Sequence, residues 1–567
     1  MNKKRKTVSL AGSVAAALAA MTLTTGTAFG QAVPGGTLDP LSIPKYVTPL
    51  VIPPVMSNSG TTNDYDIAVR QFKQQILPAG CPATTVWSYG PAGEDRDAVA
   101  ALTAPSPASQ FNYPAYTIEA TKDAAITVDW VNDLVDPATG KYRPHLLPID
   151  RSLHWANPEG IPCDVGKIKD CRPDPTALRD PTILFEPYDG PVPIVVHVHG
   201  AHVGPESDGY PEAWWLPDAN NIPGDYSTVG TLVNNYAFDT NMAPGIASFR
   251  YPNDQPSTTL WYHDHTLGMT RNNVYAGPAG FWLIRDDENE GGETGLISGT
   301  LPGPAPVAGQ DVLSLNVPGE AVRASIREIP IVIQDRSFND DGSLFYPANR
   351  AFFEGLGDGQ RSGGNANNKA GLKIDFVGTE GKGKKSPSDI APIWNPEAFY
   401  NVMVFNGVSW PTLDVEPDLY LFRLLNGSNS RFINLAMFVE NSDGSYGAEV
   451  PFYQIGADQS LMPHVVKVAT GIKTRLPGNG EMPADSPAAS DDEALLMGLA
   501  ERSDVLVDFS GLSEGTVVRK LKTAPYAPFG GFPDIPADPD TSGQVMQFAV
   551  GAVTYVGVDF TAPEDHV

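Results

Sequence analysis

The chain has 567 residues, 41% of them apolar and 18% charged, with 55 Gly and 53 Pro scattered along it. That balance excludes a mainly disordered or collagen-like chain. It suits a loop-rich all-β protein, and at about 150 residues per unit the length allows about three or four units. A formal net charge of −28 repels phosphate backbones and anionic lipid, so no nucleic-acid or peripheral-membrane partner is expected.

Residues 1–30 read as a signal peptide. Lys3, Lys4, Arg5 and Lys6 form a positive head, an apolar stretch runs from Val8 to about Leu23, and Ala28-Phe29-Gly30 offers a cleavage site before Gln31. No second apolar run reaches spanning length, so the mature protein is expected outside the cytoplasm, periplasmic or secreted, with no membrane span. Residues 31–286 form a first β-rich unit with a Pro-rich entry. Its predicted strands include Ala125–Val131, Ile194–His199, Thr259–His263 and Gly280–Ile284. Residues 287–327, rich in Gly, Pro, Glu and Ser, are predicted to be a linker. A second unit, 328–552, follows with strands predicted at Ile329, Tyr420–Leu425, Phe432–Phe438, Val505–Phe509 and Val545–Val550. Two polar, Gly-rich stretches within it, Gly355–Pro387 and Pro477–Glu493, are expected to be surface insertions. Residues 553–567 remain as a stub. The fold class is all-β, a string of β-sandwiches.

Three cysteines occur. Cys163 and Cys171 lie eight positions apart and are expected to form a short disulfide in an oxidising compartment. Cys81 is left either as a free buried thiol or as a competitor for one of the other two.

The nine histidines carry the chemical signal. Two H-x-H pairs, His197-Val198-His199-Gly200 and His263-Asp264-His265, lie on strand-like runs. Side chains alternate faces along a strand, so i and i+2 share one side. Ile194, Val196 and Val198 then face the core while His197 and His199 face a site, and Trp261 shares the face of His263 and His265. Two such strands side by side present four imidazoles to one volume, where copper, zinc, iron or nickel is the natural occupant. A single H-x-H pair is often accidental; two on strands of one exported chain are harder to dismiss. His202 offers a fifth ligand, but its place three positions after His199 and just past Gly200 favours a loop. His145 and His154 read as structural, His464 as a surface or hydrogen-bonded residue, and His566 carries no signal.

VVHVHG, DGYPEAWW (Asp208–Trp215), LWYHDHTLGMTRNNVYAGPAGFW (Leu260–Trp282), DRSFNDDGSLFYP (Asp335–Pro347) and QIGADQSLMP (Gln454–Pro463) resemble the multicopper oxidases. Within that family they are most similar to the bacterial spore-coat laccase and bilirubin-oxidase-like branch. The resemblance runs from about Lys45 to Val550. It implies tandem cupredoxin-type sandwiches and a copper cofactor. It also implies an oxidoreductase that takes electrons from phenols, aromatic amines, bilirubin-like pigments or metal ions and reduces O2 to water. By the same resemblance His197 matches a ligand of the type 2 copper, and His199, His263 and His265 match ligands of the type 3 pair. Asp208 matches an acidic residue that supplies protons, a role that weighs equally with that of a turn residue in Ser-Asp-Gly-Tyr. Nitrogen ligands suit cycling between Cu(I) and Cu(II).

The family's third-domain signatures, HPxHLHG and an HCH motif with its blue-copper ligands, do not occur in the sequence. The resemblance therefore covers two sandwiches with the third absent, and half the ligands of a trinuclear cluster with no type 1 site. Three readings stay open. A separate chain carries the third domain; the sequence is truncated; or the protein is a non-catalytic exported copper-binding or scaffolding relative. A mononuclear zinc hydrolase fits poorly, because a catalytic zinc usually keeps three protein ligands and an open position. The reducing substrate is not legible, since in the family it docks beside the type 1 copper.

Overall fold

The computed structural model describes residues 32–33, 37–59, 63–163, 169–174, 177–179, 183, 188–233, 243–286, 301–317, 319–347, 399–469, 495–522 and 538–554. The predicted signal peptide, the two predicted surface insertions and most of the C-terminal stub lie outside these residues. After paired two-residue strands, β1 (Ala32–Val33) with β2 (Thr37–Leu38), the strands assemble into two β-sandwiches, each made of two sheets.

The first sandwich uses β3 (Asp64–Gln74), β4 (Thr84–Pro91), β5 (Thr103–Ala104), β6 (Ala115–Thr121), β7 (Ile126–Asn132), β8 (Val196–His199), β9 (Ile246–Tyr251), β10 (Thr258–Asp264) and β11 (Ala279–Arg285). One sheet has the order β4-β3-β7-β9 with β5 beside β3; the other is β6-β11-β10-β8. Alternation dictates the faces. In β7, Ile126, Val128, Trp130 and Asn132 are buried while Thr127, Asp129 and Val131 are half-exposed. The two sheets meet where Trp130 of one and Tyr262 of the other approach to 5.6 Å between ring centroids, with Tyr89 5.4 Å from each.

In the second sandwich, β12 (Glu328–Arg336), β13 (Val402–Phe405), β14 (Val408–Ser409), β16 (Leu419–Asn426), β19 (Phe452–Ala457), β20 (Ser460–Val468) and β22 (Arg502–Asp508) form one sheet, ordered β14-β13-β12-β16-β22-β19-β20. The other contains β15 (Thr412–Val415), β17 (Ile433–Glu440), β18 (Tyr446–Glu449), β21 (Leu495–Met497), β23 (Val517–Lys522) and β24 (Gln544–Val550). Its order is β15-β24-β23-β17-β18, with β21 beside β17. Phe548 bridges the sheets, 5.5 Å from Phe422 and 5.3 Å from Phe509.

Both β10 and β11 are buried along their whole length, because one face meets the partner sheet and the other meets the second sandwich. A chain of charges, buried except for half-buried Glu119, crosses that junction. Glu119 and Glu328 both accept from Arg285 at 2.6 Å; Glu328 also accepts from Arg423 at 2.5 Å, and Arg423 reaches Asp504 at 3.1 Å. Asp504 in turn accepts from the Thr259 hydroxyl of β10 at 2.7 Å. The Pro-rich entry also crosses to the second unit, where Leu50 N donates to Thr412 O and Thr412 N to Thr48 O.

The described part of the predicted linker, 301–317 and 319–327, is packed. Leu301, Val312 and Leu315 are buried, the Asn316 amide brackets the Ile52 backbone, and Arg327 pairs with Glu416 and Asp418. Composition announced flexibility here, but apolar residues interleaved with the Gly and Pro find burial against both units. Cys163 and Cys171 form a disulfide, and Cys81 is a free, buried thiol. Among the described residues no helix is long and apolar enough to cross a membrane.

Candidate metal centre

Strand β8 pairs antiparallel with β10, with His263 directly opposite His197 and Trp261 opposite His199. Cross-strand partners and i, i+2 neighbours project from one face, so the register alone brings His197, His199, Trp261 and His263 together. His265, one residue past β10, is held by its backbone N–H to the Val195 carbonyl at 2.8 Å. The ring of His197 lies 5.7 Å from that of His199, 5.6 Å from His263 and 4.7 Å from His265. His263 lies 5.6 Å from His199 and 5.8 Å from His265. One nitrogen from each of His197, His199 and His263 falls within 4.8 Å of the other two. Four imidazoles therefore share one small volume.

Their tautomers are held from behind. Nδ1 of His197 lies 2.5 Å from the Asp208 carbonyl, Nδ1 of His263 2.7 Å from the Asp264 carbonyl, and Nδ1 of His265 2.9 Å from the Gly209 carbonyl. A carbonyl only accepts, so each Nδ1 carries the proton and each Nε2 keeps its lone pair for a metal. His199 differs, since its Nδ1 faces Nε2 of His263 at 3.4 Å. Burial, reinforced by neighbouring cationic character, disfavours protonation. It pushes His199 down to about 4, ahead of the effects of Arg502 and His197. It also holds His263 well below the ordinary range and lowers His265, with His197 the next contributor to each. These are neutral imidazoles at neutral pH, the protonation state that binds metal.

The loop carrying Asp208 and Gly209 fits against β8 because residue 209 is glycine. Gly209 has φ +78°, and a Cβ there would lie 2.2 Å from the Val196 carbonyl oxygen. Asp208 Oδ1 lies 3.4 Å from Nδ1 of His197, with 42% of the Asp208 side chain exposed. The hydrogen bond from His197 holds its carboxyl below the usual carboxylate range, outweighing partial burial.

Sequence reasoning missed the support behind the cluster. Asp264, wholly buried between His263 and His265, accepts from Thr266 N at 3.0 Å, Asn273 Nδ2 at 2.8 Å and Val195 N at 3.3 Å. Burial raises its carboxyl to about 7 against those hydrogen bonds. Asn273 in turn pairs with Nε2 of half-buried His145 at 2.9 Å, which gives that histidine its structural part. The histidine–aspartate–histidine spacing is the one sequence signal for this arrangement, and only the fold shows that the aspartate points inward. Trp261 stacks on His263 with 4.0 Å between ring centroids. The other histidines stand apart: exposed His202 pairs with Asp254, His154 contacts the Asp170 carbonyl, and His464 is exposed on β20. His566 lies outside the described residues. Neither the Cys163–Cys171 disulfide nor Cys81 belongs to the histidine group.

No protein-family model matches the chain. Among curated proteins it is 26% identical to a laccase of Bacillus subtilis over 515 residues, 90% of this chain and 66% of the relative. It is 28% identical to a laccase of Haloferax volcanii over 477 residues, 83% of this chain and 54% of the relative. A multicopper oxidase of Oryza sativa matches at 28% over 469 residues, 83% of this chain and 52% of the relative. The chain thus spans between about half and just under two thirds of the length of these relatives. Solved structures are more distant, such as a multicopper oxidase from Pediococcus acidilactici, 18% identical with a TM-score of 0.44, covering 92% of this chain and 64% of that one.

Proposed function

We propose that the chain is a multicopper oxidase polypeptide and forms part of an exported, laccase-like oxidase. Such an enzyme takes electrons from phenolic, pigment or metal-ion donors and reduces dioxygen to water. The convergence of four imidazoles from β8, β10 and the residue after β10 is the observation that supports this reading. Under it His197 holds the type 2 copper, and His199, His263 and His265 hold the type 3 pair, offering three Nε2 atoms and, from His199, the Nδ1 that faces His263. Copper bound there supplies one-electron redox chemistry and a place for dioxygen.

The protein's own part is to present those nitrogens already aimed. The carbonyls of Asp208, Asp264 and Gly209 hold the three Nδ1 protons, so binding metal costs no tautomer change. Dioxygen reduction consumes protons, and half-exposed Asp208 beside His197 is the carboxylate positioned to pass them inward. Its lowered pKa suits a relay that holds a proton briefly more than a store.

The test is copper loading of the full chain followed by measurement of bound metal and oxygen uptake with a phenolic donor. The reading expects copper bound in proportion to protein, lost in a His197→Ala/His263→Ala variant, with oxygen uptake once the remaining ligands are present. Copper retained by that variant contradicts the site. Copper uptake that depends on the four histidines, with no oxygen consumption even in the longest natural form of the protein, favours the non-catalytic copper-binding reading. The exported location is tested by whether the mature protein begins at Gln31.

A further inference from the structure

The stretch from Asp208 to Trp215 is tied down at both ends. At its start the Asp208 and Gly209 carbonyls accept from Nδ1 of His197 and His265. Further on, the Pro211 carbonyl accepts from Leu267 N at 3.2 Å, and the Trp214 carbonyl from Gly230 N at 2.8 Å. The Trp214 indole N–H donates to Asp170 Oδ1 at 2.5 Å, and Thr231 N donates to Asp170 Oδ2 at 2.6 Å. One carboxylate therefore gathers both chains of the Trp214–Gly230 pairing. A buried carboxylate needs its N–H partners, so a displaced Asp170 would release Trp214 and Thr231 together.

Asp170 immediately precedes Cys171, which is bridged to Cys163. Asp170, Trp214 and both cysteines are buried. Asp170 has φ +50°, in the left-handed region that a residue with a Cβ keeps only where its surroundings hold it. The bridged segment does the holding. Cys171 N donates to the Trp155 carbonyl at 3.0 Å, Trp155 N to the Cys171 carbonyl at 3.2 Å, and Asp170 N to the Ala156 carbonyl at 3.1 Å. Ala156 N in turn donates to the carbonyl of Leu267 at 3.0 Å, two residues past His265. The segment thus reaches the histidine cluster twice, through Trp214 to the loop and through Leu267 to the chain carrying His265. A bridge across eight residues closes a short loop and constrains the unfolded chain less than one closing a long loop. Its effect is local, on the turn that bears Asp170.

We propose that the Cys163–Cys171 bridge is a redox-dependent clasp which, through Asp170, sets the loop that orients His197 and His265, so that the site is ready for metal only once the bridge has closed. The proposal rests on the metal-binding reading of those histidines and adds a regulation of the same site. Closing the bridge converts two thiols to a disulfide; the two electrons and two protons pass to a disulfide oxidant, which leaves as a dithiol. Such oxidants act where exported chains are delivered, whereas a reducing cytosol keeps cysteines as thiols. Asp170 is a positioning residue, acting on the imidazoles only through the loop.

Proton NMR of the metal-free full chain with isotope-labelled histidine tests it, by reading solvent exchange of the Nδ1 protons of His197, His263 and His265. Two variants are compared with the wild type: Cys163→Ser/Cys171→Ser, and Trp214→Phe, which keeps the bridge but cuts its link to the loop. In both, the His197 and His265 protons are expected to exchange about tenfold faster or more. The His263 proton should keep its wild-type rate, because its acceptor, the Asp264 carbonyl, belongs to β10 itself. Copper affinity measured by competition should fall about 10–100-fold in both variants, with the far-UV circular dichroism of the wild type retained. Should the cysteine variant fail to fold, Trp214→Phe carries the test. Unchanged exchange at His197 and His265 in the folded cysteine variant, or in Trp214→Phe, overturns the proposal. Equal acceleration at all three histidines also overturns it, since that is general loosening. Selective acceleration in a protein whose wild type binds no copper would uphold the clasp and sink the metal reading instead.

Discussion

Replacing Glu328 by Gln tests how the cluster-bearing strand is held against the second sandwich. The Glu328 side chain is fully buried and accepts from Arg285 at 2.6 Å and from Arg423 at 2.5 Å, and both arginines are buried as well. Gln keeps the shape and one acceptor but removes the charge that offsets two guanidinium groups, which keep Glu119 and Asp504 as further partners. Breaking a buried ion pair from one side costs about 3–5 kcal/mol. The retained amide and the remaining partners put the expected loss at about 3 kcal/mol. Glu119→Gln acts on the same arginine, but that carboxylate is 22% exposed and the expected loss is about 1 kcal/mol or less. Burial pushes the Glu328 carboxyl up, yet Arg285 and Arg423 outweigh it and leave the carboxyl below its ordinary value of 4.5. A depressed folded-state pKa contributes stability that is present above the ordinary value and fades as pH falls through the folded one. Wild-type protein should therefore lose this contribution on acidification below pH 4.5, and Glu328→Gln should have none of it to lose. Guanidinium unfolding at neutral pH and in the acid range measures both quantities. A loss at neutral pH no larger than that of Glu119→Gln, or identical acid sensitivity in wild type and variant, refutes the reasoning.

Other consequences follow from the same contacts. Asp264→Ala removes the carboxylate that ties Val195, Thr266 and Asn273 behind His263 and His265; copper affinity should fall about 10–100-fold in a competition titration, and an unchanged affinity would mean the histidines are held by the strands alone. Gly209→Ala puts a methyl 2.2 Å from the Val196 carbonyl, so the loop must move and take the Asp208 and Gly209 carbonyls off His197 and His265. It should weaken copper binding and lower the melting temperature, whereas Gly93→Ala, at a site with open space, should leave copper binding unchanged. Cys81 is buried, and burial pushes its thiol up to about 11. A thiol reagent at neutral pH should find no reactive cysteine in the native chain and one in the unfolded, unreduced chain; reaction in the native state would place Cys81 at the surface.

What the sequence disclosed was whatever rests on short-range periodicity. Ile126–Asn132 and Val196–His199 alternate with period two, so their faces are legible from residue types alone. The same logic puts His197 with His199 and His263 with His265. That β8 and β10 are neighbours depends on pairing across more than sixty residues, and the family resemblance, not the periodicity, supplied that expectation. The backbone carbonyls that orient the rings carry no side-chain signature, and Asp208 was singled out for its carboxylate rather than for its carbonyl. Asp264 lay unread between two histidines because alternation assigns it only to the opposite face, without saying that the face is wholly buried. The charges joining the sandwiches come from five different strands, and no local pattern marks an arginine as buried. Residues 301–327 have a linker's composition, yet burial against two preformed surfaces overrides that local preference.

The central claim is that His197, His199, His263 and His265 hold metal together. Diffraction from copper-soaked crystals, with anomalous data collected at the copper edge, tests it most directly. The account predicts anomalous density enclosed by the four rings, bonded to Nε2 of His197, His263 and His265 and to Nδ1 of His199. Copper found only at outlying groups such as His202 with Asp254, while the four rings keep their metal-free contacts, would contradict it.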